Sequence, residues 1–226
     1  MKINIITIIP EFFNSYFKSP NIIRAFKHQR LEINIIDLKD YADGSFRHID
    51  DSPYGGGNGL LLKIEPIKKS LATFDKALKI CLTPRGKTFE QSDAKRLAQE
   101  KEIVLLCGHY EGIDERAYHY FDEEISIGDY ILSGGEIPSL VIIDAIARLL
   151  DGALKKGASE EESFEEGLLE YPQYTKPYEF DGHKVPDILL SGNHEKIKEF
   201  NHQEALRITS EKRNDLYEKY LLKIDN

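Results

Sequence analysis

The stretch INIITII, residues 3–9, is an almost uninterrupted apolar run near the start of the chain, and Pro10 then opens a helical stretch. Such runs are typical of β-strands that are buried on both faces, as in parallel sheets covered by helices. Three further stretches indicate strands, at residues 31–37, 78–82 and 102–107. Helical patterns separate the later strands, at residues 65–74 and 90–99. The alternation predicts an α/β fold with a mostly parallel sheet.

A longer amphipathic pattern, PSLVIIDAIARLL at residues 138–150, predicts a helix that closes this region. The following residues are rich in charge and poor in branched apolar side chains, which indicates a linker. Apolar residues recur at helical spacing nearer the end of the chain, at residues 195–209 and 211–224. We therefore predict a main domain, a linker and a small, mostly helical domain, at residues 1–153, 154–169 and 170–226.

Composition excludes several classes of protein. A hydrophobic content of 41% with 31% charged residues argues against a disordered chain. The two cysteines, Cys81 and Cys107, lie in apolar runs without CxxC spacing, which disfavours a disulfide scaffold or zinc site and fits the cytoplasm. No apolar window is long enough to predict a membrane span. The first apolar run lacks a cleavage signal, so we interpret it as a strand rather than a signal peptide.

The charge balance does not by itself suggest a nucleic-acid partner. The 30 basic and 39 acidic residues give a net charge of −9. A polyanion-binding surface would have to be local, as in RAFKHQR at residues 24–30.

Four glycines stand close together in DDSPYGGGNG, residues 50–59. Glycine loses more backbone freedom on folding than any other residue, so this stretch needs either positive φ angles or close approach of the backbone to another surface. The spacing resembles that of dinucleotide or methyl-donor loops, but those directly follow a buried strand. A glycine hairpin that serves only the fold is the alternative.

A second stretch, CLTPRGKT at residues 81–88, follows a strand and ends like a phosphate-binding P-loop. The P-loop has glycine where Cys81 stands, and Pro84 removes a backbone donor that would face phosphate. Nucleotide hydrolysis is therefore a weak alternative.

Two further glycine-containing stretches are CGHYEGIDER, residues 107–116, and SIGDYILSGGEIPS, residues 126–139. The first directly follows a strand and the second runs into the long helix. Ligands of open α/β sheets bind beyond the carboxyl ends of the strands, where glycine amides can contact a purine edge or a carboxylate. The alternative is a solvated charged turn, formed by Glu111, Asp114, Glu115 and Arg116.

Six motifs in order resemble those of the TrmD family of bacterial tRNA (guanine-N1-)-methyltransferases, which belongs to the SPOUT class. They are DDSPYGGGNG, LTPRGK, CGHYEGIDER, SIGDYILSGGE, SFEEGLLEYPQYTKP and VPDILLSGNH. The resemblance covers nearly the whole chain. It implies a parallel sheet with a deep trefoil knot in its C-terminal part, a homodimer with a shared active site, and no membrane partner. Such knots are exceptional among folds.

The resemblance also implies that S-adenosylmethionine is the methyl donor and that it binds in the knot. The matching residues are Leu82, Pro84, Gly108, Tyr110, Glu111, Gly112, Ile127, Gly128, Tyr130, Leu132, Gly134, Gly135 and Pro138. The glycine stretch at residues 50–59 would lie near the target nucleotide and the dimer interface. The implied substrate is tRNA with a guanosine 3′-adjacent to the anticodon (position 37), preceded by another guanosine. Mg²⁺ is a further candidate cofactor.

Guanine N1 carries a proton at neutral pH, so methyl transfer to it requires a general base, for which a carboxylate is suited. A cation near guanine O6 would stabilise the charge that develops there. The resemblance assigns the cation to Arg148 and the base to a linker aspartate, where this chain has Glu162. Glu165 is the rival base within the same acidic cluster. Arg148 has an alternative role as a cation at the C-terminal end of a helix.

This chain departs from the family pattern at His109, where many relatives have arginine, and at residues 60–62, where methionine is common. His109 could alter substrate contacts. The acidic net charge requires that basic residues gather on the RNA-facing side, with Arg24, Lys27, Arg30, Arg207, Lys212 and Arg213 as candidates. Two alternative functions are a SPOUT methyltransferase for another RNA and a non-catalytic RNA-binding module.

Overall fold

The computed structural model describes residues 1–18, 20–27, 30–150 and 162–224. The chain divides into two compact units, Met1–Lys155 and Lys156–Asn226. Half of the predicted linker, residues 154–161, lies outside the described residues, so the predicted division at residues 153 and 169 stays a prediction.

The first unit combines parallel strands with helices. Its strands are β1 Lys2–Thr7, β2 Glu32–Asp37, β3 Asp50–Asp51, β4 Leu61–Leu62, β5 Leu78–Thr88, β6 Glu102–Cys107 and β7 Glu123–Ser126. Its α-helices are α1 Pro20–Lys27, α2 Ile64–Leu71, α3 Gln91–Leu97 and α4 Glu136–Leu149. Short 3₁₀ helices connect them, at Pro10–Asn14, Tyr16–Lys18, Leu38–Tyr41 and Glu115–Tyr120.

Five of these strands form one parallel sheet in the order β2-β1-β6-β5-β7. Alternate residues of the strands enter two separate cores, one on each face of the sheet. In β1, Ile3 and Ile5 belong to one core and Ile6 belongs to the other. The continuous apolar run at residues 3–9 follows from this burial on both faces. The predicted α/β class with a parallel sheet is confirmed.

Strand β5 extends six residues beyond the predicted end at Leu82. It pairs with β7, a strand that the sequence analysis did not predict, first at residues 80–82 and again at Lys87 and Thr88 after a register shift. A Cβ at Gly86 would lie 2.4 Å from the backbone nitrogen of Ile125, so this pairing requires glycine. Lys87 pairs with Asp93 at 2.8 Å. Residues 81–88 are therefore extended and do not form the loop that the P-loop alternative requires.

The glycines at residues 55–59 lie between β3 and β4, which pair as an antiparallel hairpin. All four have positive φ, at +84°, +79°, +140° and +89°. Only glycine adopts such angles without strain, so the turn itself accounts for this glycine-rich stretch.

Helix α4 begins at Glu136, two residues before the predicted start at Pro138. Its buried side includes Ile142, Ile143 and Ile146, which pack into one of the two cores. The helix thereby covers one face of the sheet.

The second unit contains a short hairpin and two helices. Strands β8 Glu179–Phe180 and β9 His183–Lys184 pair as an antiparallel hairpin that was not predicted. A 3₁₀ helix at Asp187–Leu190 leads to α5 His194–Lys212 and α6 Asn214–Ile224. The side chain of Asn193 caps α5 by accepting from the backbone N–H of Lys196. The two predicted helices are therefore present, the first of them longer than predicted.

Across residues 1–18, 20–27, 30–150 and 162–224, no helix has both the length and the apolar character needed to cross a membrane. Cys81 and Cys107 are buried free thiols.

Candidate active site

A pocket of about 250 Å³ opens at the carboxyl ends of strands β6 and β7, beside the part of β5 where the register shifts after Leu82. Residues from three segments line it, at residues 81–84, 108–113 and 125–138, together with Tyr118. The strands are parallel, so their carboxyl ends meet at one edge of the sheet and bring the following loops together. This position is the one expected for a ligand site in an open α/β sheet.

The pocket contains every residue that the resemblance assigned to donor binding. These are Leu82, Pro84, Gly108, Tyr110, Glu111, Gly112, Ile127, Gly128, Tyr130, Leu132, Gly134, Gly135 and Pro138. The structure therefore brings together positions that are up to 56 residues apart in the chain, although their role in donor binding stays a prediction. The lining also includes residues that were not predicted, notably Tyr118 and His109.

Two glycines allow the loops of the pocket to pack backbone against backbone. The N–H of Gly135 donates a 2.8 Å hydrogen bond to the carbonyl oxygen of Gly108. A Cβ at Gly135 would lie 2.5 Å from the Cα of Cys107. Gly134 forms an isolated antiparallel bridge with His109. The segment before α4 thus lies directly on the end of β6, while the trefoil knot itself stays a prediction.

The glycine hairpin adjoins the pocket. The backbone N–H of Glu111 donates to the carbonyl oxygen of Leu60 at 3.1 Å, and that of Leu62 donates to the carbonyl oxygen of Gly112 at 3.0 Å. A Cβ at Gly59 would lie 2.4 Å from Cγ of Glu111. Both possible needs for glycine, positive φ and close approach, therefore hold at Gly59.

Tyr110 also connects the pocket with the hairpin. It has a positive φ of 58°, which is uncommon for a residue with a large side chain. Burial, and secondly a hydrogen bond with Asp50, raise the pKa of its phenol. Contact with Asp50 therefore favours the neutral phenol, which keeps its hydrogen-bond donor.

The charged residues on either side of Gly112 differ in their contacts. Glu111 lines the pocket. Arg116 pairs with Asp114 at 2.7 Å, and this guanidinium is the main cause that holds the pKa of Asp114 below its usual range. Glu115 pairs with Arg85 at 2.8 Å. The alternative of a solvated charged turn therefore describes Asp114, Glu115 and Arg116, and Glu111 is also exposed although it lines the pocket.

Arg85 supports one wall of the pocket. Its guanidinium carbon lies 3.6 Å from the ring centroid of Tyr118, whose side chain lines the pocket. The guanidinium also donates hydrogen bonds to Glu124 and Glu115, which hold it in this position. The sequence offered no signal for this role, because Tyr118 and Arg85 are far apart in the chain and meet only in the fold.

The predicted catalytic residues belong to different units. Arg148 lies in the last turn of α4 in the first unit and is not one of the residues that line the pocket. Glu162 and Glu165 lie in the second unit, where the N–H of Glu165 donates to the carbonyl oxygen of Glu162 at 3.3 Å. Their acidic neighbours at residues 160 and 161 lie outside the described residues. The catalytic roles of Arg148 and Glu162 stay predictions.

Two of the candidate RNA-contacting cations are engaged in ion pairs on the surface of the second unit. Arg207 pairs with Glu204 at 2.7 Å and with Glu211 at 3.0 Å. Arg213 pairs with Asp215 at 2.7 Å. Each positive charge therefore has a carboxylate beside it, which lowers its attraction for a distant phosphate.

Comparison with known proteins assigns the family. Residues 1–219 match the family described as tRNA (Guanine-1)-methyltransferase TrmD. The chain belongs to the TrmD family. The family assignment made from the six motifs is thereby confirmed.

Proteins from several bacteria are similar to this chain along nearly its whole length, and each is named tRNA (guanine-N(1)-)-methyltransferase. That of Clostridium botulinum strain Langeland is 50% identical over 226 residues, which cover 98% of this chain and 94% of the relative. That of Metamycoplasma arthritidis strain 158L3-1 is 48% identical over 220 residues, covering 97% and 96%. That of Clostridium acetobutylicum ATCC 824 is 48% identical, covering 98% and 93%.

Proposed function

We propose that this protein is an enzyme that transfers the methyl group of S-adenosylmethionine to N1 of the guanosine directly 3′ of the tRNA anticodon. Membership of the TrmD family and the names of the similar proteins support this substrate and reaction. The observation that carries the proposal is the pocket at the carboxyl ends of β6 and β7, beside residues 81–84 of β5. It gathers all thirteen residues assigned to donor binding.

The pocket fits the donor chemically. Apolar side chains such as Leu82, Ile127 and Leu132 suit an adenine ring, and the glycine backbone of the adjacent loops can approach it closely. A Cβ at Gly134 or Gly135 would lie 2.5 Å from neighbouring protein atoms, so glycine at these positions lets the segment before α4 pack closely on the end of β6 and form this side of the pocket. The bound donor supplies an electrophilic methyl group on a sulfonium.

The reaction requires a base and a stabilising cation. In our proposal Glu162 accepts the N1 proton of guanine while N1 forms its bond to the methyl carbon, and the electron pair of the broken S–C bond stays on sulfur. Arg148 stabilises the negative charge that develops on guanine O6. Glu165 is the second candidate for the base, since it belongs to the same acidic segment.

We further propose that the enzyme acts as a homodimer with a shared active site. Helix α4 exposes Ile137 and Val141, whose side chains are 49% and 43% accessible in the isolated chain. The two residues are four apart and therefore lie on one face of the helix. In a two-fold dimer, contact with the same two residues of a second copy would bury Ile137 and Val141. The donor pocket of one subunit would then work with the linker and second unit of the other.

Magnesium is assigned no step in this mechanism. Within the part of the chain that the structure describes, no group of three or more His, Cys, Asp or Glu side chains is arranged to hold a metal ion. We place the enzyme in the cytoplasm, because the proposed substrate is tRNA and both cysteines are free thiols.

The test uses purified protein, labelled S-adenosylmethionine and a tRNA transcript that carries the two adjacent guanosines. Nuclease digestion and mass spectrometry then locate the methyl group. We expect methylation of N1, lost in Glu162→Gln and kept in the matched variant Glu165→Gln. Transfer to a ribosomal RNA fragment instead would support the alternative of another RNA substrate. Binding of tRNA without consumption of donor would support a non-catalytic module.

A further inference from the structure

A buried glutamate connects three segments around the pocket. Glu136 is the first residue of α4, and only 4% of it is exposed. Its Oε1 accepts a 2.7 Å hydrogen bond from the hydroxyl of Thr7 at the end of β1. Its Oε2 lies 3.6 Å from Nε2 of His109, which follows β6. One carboxylate thus contacts the ends of two central strands and the start of the covering helix.

Gly134 lies between the two side chains. A Cβ at this position would lie 2.5 Å from Oε2 of Glu136 and 2.6 Å from Cδ2 of His109. The backbone of Gly134 also bridges to that of His109, and the next residue, Gly135, donates to Gly108. The carboxylate and the imidazole therefore both pack against the point where the two pocket loops meet.

The burial of Glu136 is compensated from several sides. A buried carboxylate is costly unless it is hydrogen-bonded or paired. Here the Thr7 hydroxyl donates to it, and the N-terminal end of α4 favours a negative charge. His109 adds a positive charge whenever its imidazole is protonated. These contacts hold the Glu136 carboxylate in one position, unlike a carboxylate that is exposed to solvent on a helix surface.

His109 lines the pocket, whereas Glu136 does not. The ring of His109 also lies edge-on to that of Tyr110, with centroids 5.5 Å apart. Any effect of Glu136 on a ligand in the pocket must therefore pass through His109 or through the glycine backbone. The sequence suggests that His109 alters substrate contacts, but it does not indicate that Glu136 lies beside His109.

We propose that Glu136 is a positioning residue that, with Thr7 and His109, clamps the loop at residues 108–112 against the loop at residues 128–135 and so shapes the donor pocket. The inference rests on the proposed function, because it takes the pocket to be the donor site. An arginine at position 109, as the resemblance gives for many relatives, would keep a side-chain N–H group beside Glu136. His109→Arg is therefore the conservative replacement.

Donor affinity tests the clamp without requiring methyl transfer. Calorimetric titration with S-adenosylmethionine should show about tenfold weaker binding for Glu136→Gln and for His109→Ala, whereas His109→Arg should stay within about threefold of the parent. The double variant should be no weaker than the worse single one, since both remove the same contact. Asp93→Asn is the control, because Asp93 is a buried carboxylate outside the pocket.

A second measurement does not depend on any ligand. Amide hydrogen exchange at Gly135, whose N–H donates to Gly108, should become about tenfold faster in His109→Ala and stay unchanged in His109→Arg. If Glu136→Gln does not fold, the comparison of His109→Ala with His109→Arg still tests the clamp. Unchanged exchange and unchanged donor affinity in His109→Ala would overturn the clamp. Failure of methyl transfer by the parent protein would instead overturn the proposed function and leave the exchange result valid.

Discussion

The backbone N–H of Gly135 donates a 2.8 Å hydrogen bond to the carbonyl oxygen of Gly108, and this contact joins the two loops that face each other across the pocket. A Cβ at Gly135 would lie 2.5 Å from the Cα of Cys107, where the opposing atoms are backbone and cannot turn aside. We expect Gly135→Ala to lower the free energy of unfolding by about 1–3 kcal/mol and to weaken donor binding at least about tenfold. Chemical denaturation and calorimetric titration measure the two effects.

Gly56→Ala is the matched control for this substitution. Gly56 has a positive φ of 79°, but a Cβ there would have nothing within 4 Å. The variant should therefore lose only the roughly 1–2 kcal/mol of a left-handed residue and keep its affinity for the donor. Equal losses of affinity in both variants would show that the close approach at Gly135 has no part in binding.

A strand that is buried on both faces can be predicted from the sequence alone. Residues 102–107 form β6 with the predicted bounds, because a central strand buried on both faces has an apolar residue at nearly every position. Strand β5 was predicted only to Leu82, since residues 83–88 are polar and include Pro84 and Gly86. The strand continues through them because Lys87 and Thr88 pair with β7 again after the register shift, and pairing between distant segments leaves little trace in a local pattern.

The candidate site likewise has some features that could be predicted from the sequence and one that could not. The residues of the pocket could be predicted because the resemblance carries them over motif by motif, whereas periodicity alone would have stopped at loops beyond strand ends. The contact between His109 and Glu136 could not be predicted from either source. It joins two loops that are 27 residues apart, and it depends on Gly134 leaving room between the side chains.

The thiol of Cys81 should make stability fall at alkaline pH. Cys81 is 1% exposed in β5, and burial, followed by the negative charge of Glu124, raises its pKa to about 12, although Arg85 opposes the shift. An unfolded cysteine titrates near about 8.5. The folded pKa is the higher one, so this stabilisation is complete below about pH 8.5 and is lost as pH rises toward 12.

Thermal unfolding of the parent and of Cys81→Ala between about pH 7 and 10.5 measures this effect. The midpoint of the parent should fall more steeply above about pH 8.5, because only the parent has the buried thiol at position 81. Cys107 is present in both proteins, so its own raised pKa cancels in the comparison. Parallel curves for the two proteins would contradict the prediction.

Val141→Glu should separate the proposed homodimer into monomers. In a two-fold interface the substitution places a charge on the same helix face of both subunits, where it would be buried or repelled. Light scattering after size exclusion measures the mass. Gln99→Glu adds the same charge at an exposed position just after α3 and should leave the mass unchanged. A dimeric Val141→Glu variant would show that the stripe of Ile137 and Val141 lies outside the interface.

Arg148 can be distinguished from a cation that only stabilises its helix. If it stabilises charge on guanine O6, Arg148→Ala should lower kcat by about 100- to 1000-fold, with little change in donor affinity because Arg148 does not line the pocket. Arg148→Lys keeps the positive charge at the end of α4 but loses the planar guanidinium. A lysine variant with full kcat and unchanged stability would favour the helix-end role, which accounts for about 0.3–1 kcal/mol.

The ion pairs of Arg207 determine how tRNA binding should respond to charge changes on α5. Arg207 is bound by Glu204 and Glu211, so part of its charge is already balanced. If it contacts phosphate, Arg207→Glu should weaken tRNA binding and reduce the slope of log affinity against log salt by about 1. Glu211→Gln leaves Arg207 in place and removes one competing carboxylate, so it should strengthen binding. Affinities measured by filter binding at several salt concentrations test both changes. If neither variant differs from the parent in affinity or slope, this face of α5 does not contact tRNA, and the RNA-binding surface lies on other basic residues.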